Sequence, residues 1–206
     1  MIYLIITTSV LNKIGSDDYE YRKKRYIDCI QTTLKFIENN NLIKPIIVEN
    51  NGILNTYLDA LHGDVIYTNN NIAQYQHVGV NELLDIKQVI NEYNIKDNDI
   101  IIKLTGRYKP IDNSFFELIL NESKNYDVFI KFFNVNTLEY THDYCVSGLF
   151  AIKCKYLKHF SYKCDKNPES DFASYIRNNI VSSKIMEINN LNLECCFADN
   201  LQILNV

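Results

Sequence analysis

Six short apolar runs constrain this chain more than any other feature: residues 2–7, 45–48, 64–68, 100–104, 127–133 and 146–153. Each is four to eight residues long and rich in Ile, Val and Phe, which suits strands buried on both faces. None approaches the eighteen or more residues of a membrane span. Between the early runs lie segments of helical period. Residues 19–39 place Tyr26, Ile30, Leu34 and Ile37 on one face, with Asp17 or Asp18 as N-cap. Residues 79–93 do the same with Val80, Leu83, Leu84, Ile86, Val89 and Ile90. Shorter helices are expected at 53–61 and 113–121, another at 169–178 after Pro168, and a late strand at 184–188. Strands alternating with helices predict βαβ units. The expected fold is α/β: a mixed, mostly parallel central sheet flanked by helices, in a single domain over 1–206.

Composition narrows the function classes. The 206 residues carry a formal net charge of −4, which offers no sequence-wide attraction for nucleic acid or anionic membrane. Only 6 Gly and 3 Pro argue against flexible linkers. The N-terminus lacks a basic region before its apolar run, so a soluble, cytoplasmic protein without an export signal is expected. The six cysteines form no C-x-x-C pair and are expected as reduced, packed thiols. Heavy use of Asn, Ile and Lys reflects an AT-rich genome rather than a function.

The common fingerprints are missing: G-x-G-x-x-G, the P-loop, G-x-S-x-G and H-E-x-x-H. The four histidines are scattered. In an open α/β sheet, ligands sit at the carboxyl ends of the strands. The residues there are Thr8 and Ser9, Glu49 to Asn51, Thr68 and Asn69, and Thr105 to Tyr108. Hydroxyls and amides dominate, which suits a polar, polyhydroxyl or nucleoside ligand; the same residues are common in any turn.

The segment Lys103-Leu104-Thr105-Gly106-Arg107-Tyr108 is more specific. Gly106 lets the backbone approach a ligand closely. Arg107 offers a planar fork for phosphate. Lys103 lies within an apolar strand, where a charge requires a partner or a pocket.

Taken in order, Thr7-Thr8-Ser9 after the first strand, Arg22, Arg25 and Tyr26 on the first helix, Gly79-Val80-Asn81-Glu82-Leu83, Lys103 to Tyr108, Ser147-Gly148-Leu149-Phe150-Ala151, and Glu169 opening a helix resemble a small GT-A-fold glycosyltransferase. The resemblance is to compact enzymes of large DNA viruses and bacteria with a Lys-Leu-Thr-Gly-Arg-Tyr loop, and covers about residues 2–180. It implies transfer of a sugar from a nucleotide-diphosphate donor, a UDP-sugar first, to a hydroxyl of a glycan or glycoprotein. Thr7, Thr8, Ser9 and Asn50 would border the nucleoside, and Gly79 and Glu82 the ribose and phosphates. Lys103, Thr105, Gly106 and Arg107 complete the expected donor site, with Arg25 or Arg22 reaching it from the helix.

The chain departs from that family at one place. The Asp-x-Asp expected directly after the fourth strand, which chelates Mn2+ or Mg2+, is replaced by Thr105-Gly106-Arg107. Asp97-Asn98-Asp99 precedes the strand and reads as a turn. Arg107, with Lys103 or Lys109, can neutralise the diphosphate instead. An inverting transfer also needs a general base. Glu169 and Asp171 hold the helix start where the family places an acid, and Asp143 is a further candidate. The alternatives are a nucleotidyltransferase, which would want a Gly-rich basic loop after the first strand, and an inactive carbohydrate- or nucleotide-binding domain.

Overall fold

The computed structural model describes residues 1–11, 18–71, 78–163, 167–198 and 200–206. The loop glycine Gly15, the alternative cap Asp17, His77 and Cys164 lie outside the described residues. The chain opens with β1 (Ile2–Thr8), α1 (Tyr19–Ile37), β2 (Ile43–Glu49), a 3-10 turn at Tyr57–Ala60 and β3 (Asp64–Tyr67). It continues through α2 (Val78–Glu92), β4 (Ile100–Thr105), β5 (Lys109–Pro110), α3 (Ser114–Glu122) and β6 (Val128–Ile130). It ends with β7 (Leu149–Lys153), α4 (Cys154–His159), α5 (Pro168–Asn179), β8 (Ile185–Glu187), β9 (Leu193–Cys196) and β10 (Ile203–Asn205).

Seven strands form the central sheet in the order β3-β2-β1-β4-β7-β6-β8, and β7 alone runs against the others. A mixed, mostly parallel sheet is what the alternating sequence pattern predicts. Side chains on successive strand residues point to opposite faces. Leu4, Ile6, Ile102 and Leu104 therefore pack with Tyr26 and Ile30 of α1 and Phe116 and Ile119 of α3. Ile5, Ile101 and Ile152 pack with Leu83 and Val89 of α2, Leu157 of α4, and Phe172 and Ile176 of α5. Burying each such side chain contributes about 1.5–3 kcal/mol, which is why both faces of the inner strands are apolar.

Asp18 caps α1 by accepting the Tyr21 N–H at 3.0 Å. Asn167 caps α5 by accepting from Glu169 N at 3.0 Å, with Pro168 in the first turn where no N–H is needed. The five described cysteines are free and buried. No helix among the described residues is long and apolar enough to cross a membrane.

Several expected bounds shift. The runs 127–133 and 146–153 shorten to β6 and β7, because 131–133 and 144–146 meet irregularly, through Phe133 N to Tyr144 O (3.1 Å) and Val146 N to Lys131 O (3.0 Å). The helix α4 and a second, three-stranded sheet, β10-β9-β5, have no counterpart in the sequence reading. Two to four residues carry too little periodicity to announce a strand. The small sheet matters because it places Glu194 and Cys196 beside the loop after β4.

Candidate active site

Strand order reverses between β1 and β4, and in open α/β sheets ligands lie beyond the carboxyl ends of the strands at such a point. The register sets Thr7 beside Thr105 and Ile5 beside Lys103. By the two-residue period, Thr7, Lys103 and Thr105 share the face that α2 covers. Glu82, one turn into α2, meets them. Its Oε1 accepts from Thr7 Oγ1 at 2.8 Å and from Thr105 Oγ1 at 3.2 Å, and its Oε2 from Lys103 Nζ at 2.9 Å. Lys103, 2% exposed, also donates to Thr105 Oγ1 at 2.6 Å and to the Ser147 carbonyl at 2.9 Å. Burial alone would raise the Glu82 pKa, but Lys103, with help from Arg107 and Thr7, holds it below the ordinary value.

The three ammonium protons of Lys103 are thus all taken. The structure makes it the organiser of the strand ends, where the sequence reading gave it a direct donor contact. Arg25 is spent in the same way. Its Nε donates to the Arg107 carbonyl at 2.9 Å and its Nη2 to the Glu194 carbonyl at 3.1 Å, while Nη1 pairs with the Glu194 carboxylate. It ties α1 to β9. The Lys23-Lys24-Arg25 run therefore splits, with Lys24 exposed and Arg25 buried.

The exit of β1 is pinned from β2. Glu49, with no exposed surface, accepts from Thr8 Oγ1 at 2.9 Å, Val10 N at 3.0 Å and Asn51 N at 3.1 Å. Ser9 N donates to the Tyr26 hydroxyl at 3.3 Å and Leu11 N to Asn51 Oδ1 at 3.0 Å. Beside it, Asn50, Thr68 and Asn70 all donate to the buried carboxylate of Asp85 on α2, at 2.9, 2.7 and 2.9 Å. Burial pushes Glu49 up to about 7 and Asp85 up to about 6, against the pull of these hydrogen bonds. The folded state therefore holds protons that the unfolded chain has lost. Stability is expected to fall as pH rises from about 5 through these values, by on the order of 2 kcal/mol per group. Thermal midpoints between pH 5 and 8.5 check this, and Glu49→Gln should flatten the upper part of the slope. A midpoint that climbs over that range would contradict the assignment.

The turn after β4 brings Gly106 against Thr7, whose carbonyl accepts its N–H at 2.8 Å. A Cβ on Gly106 would sit 2.9 Å from Thr8 Cγ2 and 3.1 Å from Tyr26 Cδ1, so only glycine fits without displacement. Arg107, partly exposed, anchors its Nε on the Cys196 carbonyl at 2.7 Å and lies over the Tyr108 ring, 5.4 Å from its centroid. Burial lowers the Arg107 pKa, yet Tyr108, Tyr26 and Glu82 around it raise it overall. Tyr108 in turn covers Gly148: a Cβ there would come within 2.1 Å of the ring.

Glu169 reaches the same region from α5. Its Oε1 accepts from Ser147 Oγ at 3.1 Å, and Ser147 is the residue whose carbonyl holds Lys103. Gly79 lets the starts of α2 and α5 close on each other, since a Cβ on it would lie 3.0 Å from Pro168 Cβ. Asp171 points elsewhere: its Oδ2 accepts the Lys163 N–H at 2.9 Å, which fastens the segment before α5. Asp143 is exposed, and its N–H donates to Thr141 Oγ1 at 3.3 Å; the structure does not bring it to the strand ends. His62, His142 and His159 are also exposed.

No protein-family model matches the chain, and no curated protein matches it in sequence. Solved structures do match in fold. A protein assigned as a nucleotide-diphospho-sugar transferase from Desulfovibrio desulfuricans G20 is 9% identical, with a TM-score of 0.56 over 91% of this chain and 79% of that one. The chain has the nucleotide-diphospho-sugar transferase fold. A mannosyltransferase from Pyrobaculum calidifontis, solved with GDP-Man and Mn2+, is 6% identical with a TM-score of 0.59, over 92% of this chain and 55% of that one. The fold is shared with cytidylyl chemistry: 4-diphosphocytidyl-2C-methyl-D-erythritol synthase from Anaerococcus prevotii is 12% identical with a TM-score of 0.51, over 91% and 87% of the two chains. At these identities the likeness is one of fold.

Within that transferase fold, the position directly after β4 does not fit a divalent ion. Thr105 Oγ1 is occupied by Lys103 and Glu82, Gly106 has no side chain, and Arg107 is a cation. Glu82 is already paired with Lys103. Among the described residues, no three His, Cys, Asp or Glu side chains converge as metal ligands. Asp97 and Asp99 serve the other end of β4, where Asp97 pairs with Lys158 and Asp99 with the Met1 amino group.

Ser147 and the ring-on-glycine contact of Tyr108 escaped the candidate site residues read from the sequence. Both stood inside motifs quoted for the resemblance, but neither titrates near neutrality, so neither stood out as chemistry.

Proposed function

We propose that the chain transfers a glycosyl group from a nucleotide-diphosphate sugar to an acceptor hydroxyl of a glycan or glycoprotein. The donor lies across the ends of β1, β2 and β4, and Glu169 acts as general base. The observation that carries this reading over nucleotidyl transfer is the exit of β1. A nucleotidyltransferase cradles a triphosphate on free N–H groups of a glycine-rich loop at that place. Here the N–H groups of Ser9, Val10 and Leu11 are consumed by Tyr26, Glu49 and Asn51.

In the proposed step the acceptor oxygen bonds to the anomeric carbon as the bond from that carbon to the diphosphate oxygen breaks. The electron pair leaves on the nucleoside diphosphate, and the acceptor proton passes to Glu169. Attack opposite the leaving group inverts the anomeric centre. Ser147 orients the carboxylate, and Tyr108 forms a wall between it and Arg107.

Product analysis tests the reading. UDP-, GDP-, dTDP- and CMP-sugars are each incubated with the protein, and nucleoside triphosphates with sugar phosphates in parallel. Release of free nucleotide from one nucleotide-sugar, without pyrophosphate from any triphosphate, is the expected result. Pyrophosphate release would make the chain a nucleotidyltransferase. Neither product, with binding retained, would leave a binding domain.

A further inference from the structure

Three arginines gather near Cys196 at the point where strand order reverses, and two of them, Arg22 and Arg107, lie beside Tyr26. Tyr26, 1% exposed, has the Arg22 guanidinium 5.8 Å from its ring centroid. The same ring backs Gly106, which Arg107 follows. Burial raises the pKa of the Cys196 thiol, and Arg25, Arg107 and Arg22 all act against that rise, so the three charges share one neighbourhood.

Arg25 is neutralised by Glu194. Among the described residues, neither Arg22 nor Arg107 has a carboxylate within ion-pair distance. Glu82 acts on Arg107 from farther off and is itself held by Lys103. Arg22 is the more telling. It is 3% exposed, its Nη2 donates to the Ser9 carbonyl at 3.1 Å, and its Nε and Nη1 are buried with no partner among the described residues. An unpaired buried guanidinium is costly, and a bound anion would offset that cost. The opening after β4 meanwhile offers no carboxylate pair to bring a metal to that anion.

We propose that Arg22 and Arg107, both beside Tyr26, form a diphosphate site that takes the place of a divalent ion, so that the nucleotide binds without metal. The inference rests on the transferase reading above. Two guanidiniums supply directional N–H donors as well as charge, which suits adjacent phosphates. As the sugar leaves, the same donors stabilise the charge gathering on the diphosphate.

Titration calorimetry with UDP, GDP, CDP and ADP, each in excess EDTA and in Mn2+, tests it on the wild type, Arg22→Met and Arg107→Gln. At least one nucleotide should bind the wild type equally in EDTA and in Mn2+. Each variant should lose about tenfold or more in affinity for it. The unliganded Arg22→Met protein should melt no lower than wild type, because the substitution removes an unpaired charge. Binding only in Mn2+ would overturn this inference and leave the transferase reading standing. Binding of no nucleotide under either condition would overturn both. Unchanged affinity in Arg22→Met, or failure of both Arg22→Met and Arg22→Lys to fold, would make Arg22 a structural residue and overturn its place in the site.

Discussion

Glu169→Gln is expected to bind the donor as wild type does and to lose transfer by about 10²–10⁴-fold, the range for a missing general base. The substitution keeps the shape and retains an oxygen for Ser147 Oγ, but removes the group that accepts a proton. Pro168 starts α5, Gly79 lets that start close on α2, and Ser147 connects the carboxylate to the strand end that Lys103 organises. Asp171→Asn is the contrasting variant. Its carboxylate faces the Lys163 N–H, so its loss should lower thermal stability and leave turnover of the folded fraction largely intact. Donor affinity by calorimetry, paired with product formation, separates the two acids. Full activity in Glu169→Gln with collapse in Asp171→Asn would reverse their roles. Activity in both would move the base elsewhere or point to a retaining mechanism.

Lys103→Met should be the most destabilising single change at the site. It removes the counter-charge from a carboxylate that is 14% exposed and also strips donors from Thr105 Oγ1 and the Ser147 carbonyl. Breaking one side of a buried pair costs about 3–5 kcal/mol, mostly the cost of the charge left behind. Replacing Glu82 as well, in Lys103→Met/Glu82→Leu, should recover part of that loss. Urea unfolding midpoints measure both variants, and a Lys103→Met cost under about 1 kcal/mol would show the pair to be marginal.

The pH dependence supplies a second readout for the same pair. The Glu82 pKa is depressed in the folded protein, so its stabilisation is complete above the ordinary glutamate value of about 4.3 and is lost as pH falls through the lower folded value. Without Lys103, Arg107 and Thr7 still oppose burial, but burial is the largest influence and lifts that pKa. The sign then reverses, and lowering the pH should stabilise the variant.

Much of this protein was legible from its amino acids. The runs 2–7, 45–48, 64–68 and 100–104 became β1 to β4 within a residue or two, since strands apolar on both faces can only be buried on both. The need of Lys103 for a partner was legible for the same reason. Gly106 stood out as room for a ligand, whereas what it admits in the fold is Thr7, Thr8 and Tyr26, which leave no space for a Cβ. The identity of the partner was not. Glu82 is 21 residues from Lys103 in sequence, and only the crossover that places α2 over the β1–β4 junction brings them together. Tertiary structure also decided which of the basic residues on α1 are buried. Arg22 and Arg25 lie three apart on one face of the helix, alike in sequence, yet Glu194 of a four-residue strand that no periodicity announces neutralises only Arg25. Between Glu169 and Asp171 the helix period says that they diverge, but not which one meets the strand ends. That choice depends on where Ser147 and Lys163 lie, both on chain too irregular to carry a pattern. Local sequence determines what a segment can bury; which charges meet once it is buried depends on residues far away along the chain.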